Sequence, residues 1–367
     1  MPPRRRPAAC LAAGLLATAA AAGQDVGRLL DDLGGRDFAA REEAERRLSG
    51  LGGEEADRVL RHRPRSAEEA VRLSRAKAAI AVARLRRLAA RAAAGDASAA
   101  AEVPGLTRLR GRVPAASLAA AGAAVARTLA GAGYAGGGAA EAFAAVKACP
   151  PDDRADHFLA FCVLGADPAV PLTEDEAQLF RRGANWSAAR RAARDAALGP
   201  AVRTAAGSCL ANFPPHVRAA LLRTAASLGA DGVEAAAAEA LAFQLPAAQA
   251  ADAMALLTRT RSLHSLGLLE SRLEDRTRVS GTYRGGGYVT VGDVATVAAL
   301  LTVGADPARY GYRDVRRDRR LGFLVSSATP SSAGRRGRAV RQYRELTQKT
   351  LPETQPAPVD ASAGRRL

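Results

Sequence analysis

The chain has 367 residues, enough for two or three ordinary domains or one long helical array. Its formal net charge of +16 is carried almost entirely by Arg, which favours acidic partners; Ala and Gly are also abundant, so part of the Arg excess is codon bias rather than a ligand signature. Aromatic residues make up only 4%, which argues against a stacking platform for single-stranded nucleic acid.

At the N-terminus Arg4, Arg5 and Arg6 precede an uncharged, mostly apolar stretch from Ala8 to Ala22, with Gly23 ahead of Gln24 and Asp25. That is the layout of a secretory signal peptide, residues 1–23, with cleavage expected near Ala22 or Gly23. An uncleaved N-terminal membrane anchor is the weaker alternative, because so short an Ala-rich run is only mildly hydrophobic. The expected product is periplasmic or secreted and keeps no transmembrane helix. Cys10 stands too early in the run for lipoprotein attachment. The other cysteines, Cys149, Cys162 and Cys209, cannot all pair within one chain. A Cys149–Cys162 bridge and three small buried thiols are both open readings, and no zinc site can be built from these spacings.

Residues 24–275 read as helix after helix. A first helix runs from Val26 to Leu33, and Asp37 caps a second through Leu48, with Gly50 as a left-handed stop. A short helix from Glu54 to Arg61 follows. Ser66 and Glu69 then form a capping box for a long helix to about Ala94, whose packed side is read as Val71, Ala78, Val82, Leu85, Ala89 and Ala92. Further helices are predicted over 115–130, 139–147, 153–164 and 174–182, the last with a Thr173/Glu176 capping box. Three paired-helix units then start near Asn185, Pro214 and Pro246: 186–198 with 200–210, 217–228 with 233–243, and 247–258 with 263–273. A period near 30 residues marks an α-solenoid, in which each pair buries its apolar face against the next. Ala suits this array, having the highest helix propensity and a side chain small enough for close approach. A coiled coil is the competing architecture, and Gly and Pro breaks in every long run argue against it.

The character changes past Arg276. β-prone segments 277–282 and 288–291 flank Arg284 and three glycines, predicting a small β-hairpin. Asp293 is read as the cap of a helix over 294–303. A densely basic segment from Arg309 to Arg320 follows, then a Ser/Gly/Arg stretch at 326–338 read as flexible and a helix over 339–349. Residues 276–350 are taken as a C-terminal module and 351–367 as a disordered tail.

Two stretches resemble secreted bacterial HEAT-like α-helical repeat proteins. One is Leu29 to Leu33 followed by Asp37-Phe-Ala-Ala-Arg-Glu-Glu-Ala44 and Leu48, similar to an opening D-F-x-x-R-E-x-A unit. The other is Val291 to Leu301 with Gly304-Ala-Asp-Pro307 and Tyr310-Gly311, similar to a C-terminal helix and G-x-D-P-x-x-Y-G turn. Together they cover under a third of the chain. The resemblance implies an all-α, HEAT-like solenoid of stacked helix pairs and an exported, interaction-type protein, and it brings no catalytic residues.

Motifs that would carry chemistry lack their context. Gly131-Ala-Gly-Tyr-Ala-Gly136 matches a dinucleotide fingerprint, but an Ala-rich helix precedes it where a strand is required, so an inter-helix loop is expected. His62, His157, His216 and His264 are far apart and form no closely spaced ligand pair. Asp152, Asp153 and Asp156 beside His157 suit a helix N-terminus without a metal. Asn185-Trp-Ser187 is read as a helix cap made by Asn185 rather than a glycosylation site. Arg313, Arg316, Arg317, Arg319 and Arg320 are the one candidate anion-contact site, with Tyr310 and Tyr312 offering flat contacts and Asp314 and Asp318 partly neutralising the run.

The expectation is therefore a non-enzymatic scaffold or binding protein without cofactor or metal, whose partner is a protein or an acidic envelope polymer. The alternative is a nucleic-acid-binding helical repeat protein, which the charge permits and the export signal opposes.

Overall fold

The computed structural model describes residues 25–260, 262, 264–280, 288–330 and 333–350. The segment 1–23 read as a signal peptide, the turn at 284–287 and the segment 351–367 read as a disordered tail lie outside the described residues. The described chain is mostly α-helical, with two small antiparallel two-stranded sheets. It divides into two compact units, one ending at Asn212 and the other beginning at Phe213.

The first unit opens with α1 (residues 25–33), α2 (Phe38–Ser49), α3 (Gly53–Arg61) and α4 (Ala67–Ala93). Leu29, Leu33, Leu48, Val59, Leu73 and Ile80 share their core. Asp37 caps α2 as expected, accepting from Ala39 N at 2.9 Å. Gly50 keeps a right-handed conformation (φ −91°), and the left-handed residue is Gly53 (φ +58°), three residues later than predicted. The Ser66 cap also forms, with Glu69 N donating to its hydroxyl at 3.2 Å. The Glu69 carboxylate, however, takes the amide of Arg65 at 2.6 Å and the ring of His62 at 3.0 Å.

The packed side of α4 includes Leu85, Ala89 and Ala92 as expected but differs from the sequence expectation in the first part of the helix. Leu73, Ala76, Ile80, Leu85 and Leu88 are buried, whereas Val71 is 54% exposed. Arg72 lies largely covered, in ion pairs with Glu45 and Glu68 and over the Phe38 ring. Alanines fit either face of a helix, so they could not set its rotational phase; the larger Leu and Ile side chains did.

Next come α5 (Ala97–Ala101), α6 (Ala115–Gly131), α7 (Ala139–Ala148), α8 (Arg154–Gly165), α9 (Glu174–Asn185), α10 (Ser187–Ala192) and α11 (Gly199–Asn212). Small residues let these helices approach closely: a methyl group on Gly122 of α6 would stand 2.5 Å from the Ala100 Cβ of α5. Helix α8 is buried from Phe158 to Gly165 and packs against α6, α7 and α11. The Asn212 amide then donates to the carbonyls of Gly165, Asp167 and Val170 at 2.8, 3.0 and 3.1 Å, satisfying acceptors at the end of α8. The single helix expected over 186–198 is shorter, because α10 stops at Ala192 and Asp195 caps the turn that starts α11. Trp186 caps α10, while Asn185 closes α9 and accepts from Arg190 at 2.5 Å, so Asn185 is not the cap.

The second unit contains α12 (Pro215–Leu228), α13 (Val233–Leu241), α14 (Ala247–Leu257), α15 (His264–Glu270), β1 (Arg278–Ser280), β2 (Val289–Thr290), α16 (Val291–Thr302), β3 (Arg317–Asp318), β4 (Gly322–Phe323) and α17 (Ala333–Thr350). Helices α12, α13 and α14 pack in succession, and α12 ends on left-handed Gly229. The predicted hairpin forms as β1 paired antiparallel with β2. Its chain leads directly into α16, which is buried along its whole length by α14, α15 and α17. The residues after 276 therefore pack onto α14 and α16 within one unit that starts at Phe213. Helix α17 begins at Ala333, so the part of the stretch read as flexible from residue 333 onward is helix.

Candidate functional site

The basic segment is held from beneath by a buried carboxylate. Thr290, not Asp293, is the N-cap of α16; its hydroxyl accepts from Asp293 N at 3.1 Å. Asp293, 1% exposed, accepts in return from the Thr290 amide and hydroxyl, both at 2.8 Å. The Arg336 Nε of α17 stands 2.9 Å from both Asp293 oxygens, and the Tyr312 hydroxyl donates to Oδ1 at 3.1 Å. A buried carboxylate is tolerated when a countercharge and several donors meet it, and this one has both. Arg336 also donates to the Tyr288 carbonyl at 2.6 Å and lies over the Tyr288 ring, which Arg278 covers as well. Burial, with the Asp293 charge, pushes the Tyr312 phenol well above its ordinary value, so it stays a neutral donor.

Tyr312 is 1% exposed, so it cannot supply the flat contact expected of it. It anchors the segment instead, and the chain emerges at Arg313. From there β3 and β4 form a tight antiparallel hairpin with Arg317 opposite Phe323. Phe323 is buried, and Gly322 at its turn (φ +83°) lies directly against Ala255 and Thr258 of α14. The Asp318 carboxylate accepts the amides of Arg320 and Leu321, both at 2.8 Å, and is thereby committed to the turn.

This geometry leaves Arg313, Arg316, Arg317, Arg319 and Arg320 all exposed. None of their guanidinium groups has a carboxylate within ion-pair distance among the described residues. Elsewhere in the same unit Arg218, Arg223, Arg259, Arg272, Arg336 and Arg344 all do. Asp314 and Asp318 thus do not neutralise the run by contact. Arg313 and Arg317 also flank a recess of about 350 Å³ floored by Leu301, Pro307 and Tyr312.

The other candidates are dispersed. His62 is bound to Glu69, His157 stacks loosely on Trp186 at 6.2 Å, and His216 is exposed on α12; the His264 side chain lies outside the described residues. Among the described residues no group of three His, Cys, Asp or Glu side chains is placed to hold a metal. Asp153 caps α8 and Asp156 pairs with Arg127, as a helix N-terminus requires. The Gly131–Gly136 stretch is the α6–α7 loop, with left-handed Gly133 and Gly136 and a buried Tyr134 whose hydroxyl donates to the Gly137 carbonyl at 2.6 Å. All three described cysteines are free thiols; Cys162 is buried beside Cys209, and Cys149 stands apart near the surface.

Sequence reasoning missed Arg336 and Tyr288, which meet Asp293 only through tertiary packing. It also missed Asp252 of α14, a carboxyl in a second recess. A lone Asp on an Ala-rich helix gives no sequence signal. Among the described residues no helix is long and apolar enough to cross a membrane. Compared with family models, curated proteins and solved structures, the chain matches none.

Proposed function

We propose that this protein is an exported, non-enzymatic helical-repeat binding protein that grips an acidic polymer of the cell envelope through the arginine edge at 313–320. The helix pairs are read as a HEAT-like solenoid that carries this edge. The observation behind the reading is that five exposed guanidinium groups, gathered within residues 313–320, have no carboxylate within ion-pair distance among the described residues, whereas Arg259, Arg336 and Arg344 of the same unit each have one. A guanidinium is a rigid fork of donors matched to phosphate and carboxylate oxygens, so such an edge is complementary to repeated anionic groups.

The test compares the full chain with a variant carrying R316A, R317A, R319A and R320A, titrated with inorganic polyphosphate and with vesicles rich in anionic lipid at several salt concentrations. The reading requires tight, strongly salt-dependent binding that the variant loses. Equal binding by both proteins removes it, and a marked preference for a nucleic-acid duplex over polyphosphate replaces it with the nucleic-acid reading. Export is tested separately, by the N-terminal sequence of protein from native cells, expected to begin near Gln24.

A further inference from the structure

Asp252 lies on α14, facing a recess of about 220 Å³ whose apolar walls are Leu321, Leu324 and Val325. Its side chain is 22% exposed, and it accepts no hydrogen bond from any described residue. Arg223, on the neighbouring α12, lines the same recess with its guanidinium 3.9 Å from the carboxylate, too far for a hydrogen bond. Ser326 offers a hydroxyl at the rim. Burial pushes the Asp252 carboxyl above its ordinary value, and the Arg223 charge only partly opposes this. A largely buried carboxylate without donors is costly, and native proteins pair such groups.

The lining constrains what fits. The recess is smaller than the roughly 300–1,000 Å³ typical of drug-sized ligand sites, so the occupant is small. Asp252 and Arg223 answer each other only as a long ion pair at 3.9 Å with no hydrogen bond, so each keeps hydrogen-bonding capacity: an ammonium suits Asp252, an anion suits Arg223 and an apolar body suits the leucines and valine. The two charges must sit within one short molecule, because the two receiving groups stand side by side. A peptide places its terminal charges far apart, and a simple amine gives Arg223 no hydrogen-bonded anion.

We propose that this recess binds a free aliphatic α-amino acid as its zwitterion, the ammonium on Asp252, the carboxylate on Arg223, and the side chain against Leu321, Leu324 and Val325. The site uses none of the five arginines of the polymer-binding edge, so it stands or falls independently of that reading.

Isothermal titration of the full chain with L-leucine and L-valine tests it, with L-leucine methyl ester and N-acetyl-L-leucine as probes lacking one charge each. Leucine and valine are expected to bind, and each blocked probe at least tenfold more weakly, equivalent to about 1.4 kcal/mol. Asp252→Asn and Arg223→Gln should each weaken leucine binding at least tenfold. Arg223 is mostly exposed, so its variant keeps the test valid even if the Asp252 variant folds poorly. The R316A/R317A/R319A/R320A protein should bind leucine like the parent. Absence of heat with both amino acids overturns the proposal. Equal affinity for leucine and its methyl ester, or unaltered binding in both point variants, also overturns it.

Discussion

The hydroxyl of Tyr312 donates to the carboxylate of Asp293, 19 residues earlier in the chain, at 3.1 Å. That bond ties the start of the arginine edge to the first turn of a fully buried helix. It determines which side of the segment faces inward: Tyr312 is covered, and Arg313 beside it is exposed. The basic run is therefore anchored at its start by a buried side chain, which its charge pattern does not reveal.

Loosening the mount should cost stability in a graded way. Tyr312→Phe removes one hydrogen bond to a charged acceptor that still has Arg336 and Thr290, a loss of about 1.5–3 kcal/mol. Arg336→Gln leaves the Asp293 charge buried without its countercharge and should cost more, roughly 3–5 kcal/mol. Urea unfolding of the two variants checks the order; an Arg336→Gln protein as stable as the parent would show that Asp293 does not depend on the pair.

Gly322 is the second anchor. Its left-handed φ of +83° and its closeness to Ala255 and Thr258 leave no room for a side chain. Gly322→Ala should destabilise the protein by at least about 2 kcal/mol, since backbone strain and steric overlap add. Any affinity for polyphosphate should fall with it, because the hairpin that spaces Arg317 from Arg320 would lift from α14. Measured stability within experimental error of the parent would contradict this packing.

The arginines themselves should behave oppositely. Replacing Arg316, Arg317, Arg319 and Arg320 with Ala is expected to change folding stability by within ~0.5 kcal/mol, as exposed, unpaired positions do. If each contacts one anionic group of a polymer, the slope of log K against log salt should shrink by about 1 per residue. A large loss of stability in this variant would mark the arginines as structural.

Glu176 gives a pH prediction in the first unit. Burial pushes its carboxyl up, but Lys147 and the Thr173 hydroxyl and amide outweigh burial and hold it at about 2, against an ordinary 4.5. Because the folded value is depressed, the associated stability is present above pH 4.5 and drains away as pH falls towards 2. The increment is roughly 3 kcal/mol. Glu176→Gln should lower stability at pH 7 and flatten the loss between pH 4.5 and 2, read from urea midpoints across that range. An unchanged acid limb would mean that other carboxylates govern it.

Much of the helical architecture was legible in the chain because its signals are local. Asp37, Ser66, Thr173 and Pro214 start helices through their own hydrogen-bonding or φ preferences, and the Gly-rich turn with β-prone flanks announced β1 and β2. The five exposed arginines were also visible, as composition concentrated in one segment. Three things were not. The packed face of α4 was legible at Leu85, Ala89 and Ala92 but not in the first part of the helix, because alanine is nearly as content buried as exposed and carries little burial information. The role of Tyr312 escaped because a tyrosine amid arginines looks the same whether its ring faces out or in; Asp293, 19 residues before it, and Arg336, 43 residues from Asp293 on the other side of Tyr312, decide it. Asp252 and Arg223 gain a shared recess only because the 321–326 segment folds across α12 and α14. Local capping and propensity act within a few residues and are written in the sequence, whereas the fate of a buried charge depends on donors brought from elsewhere in the chain, which tertiary packing alone assembles.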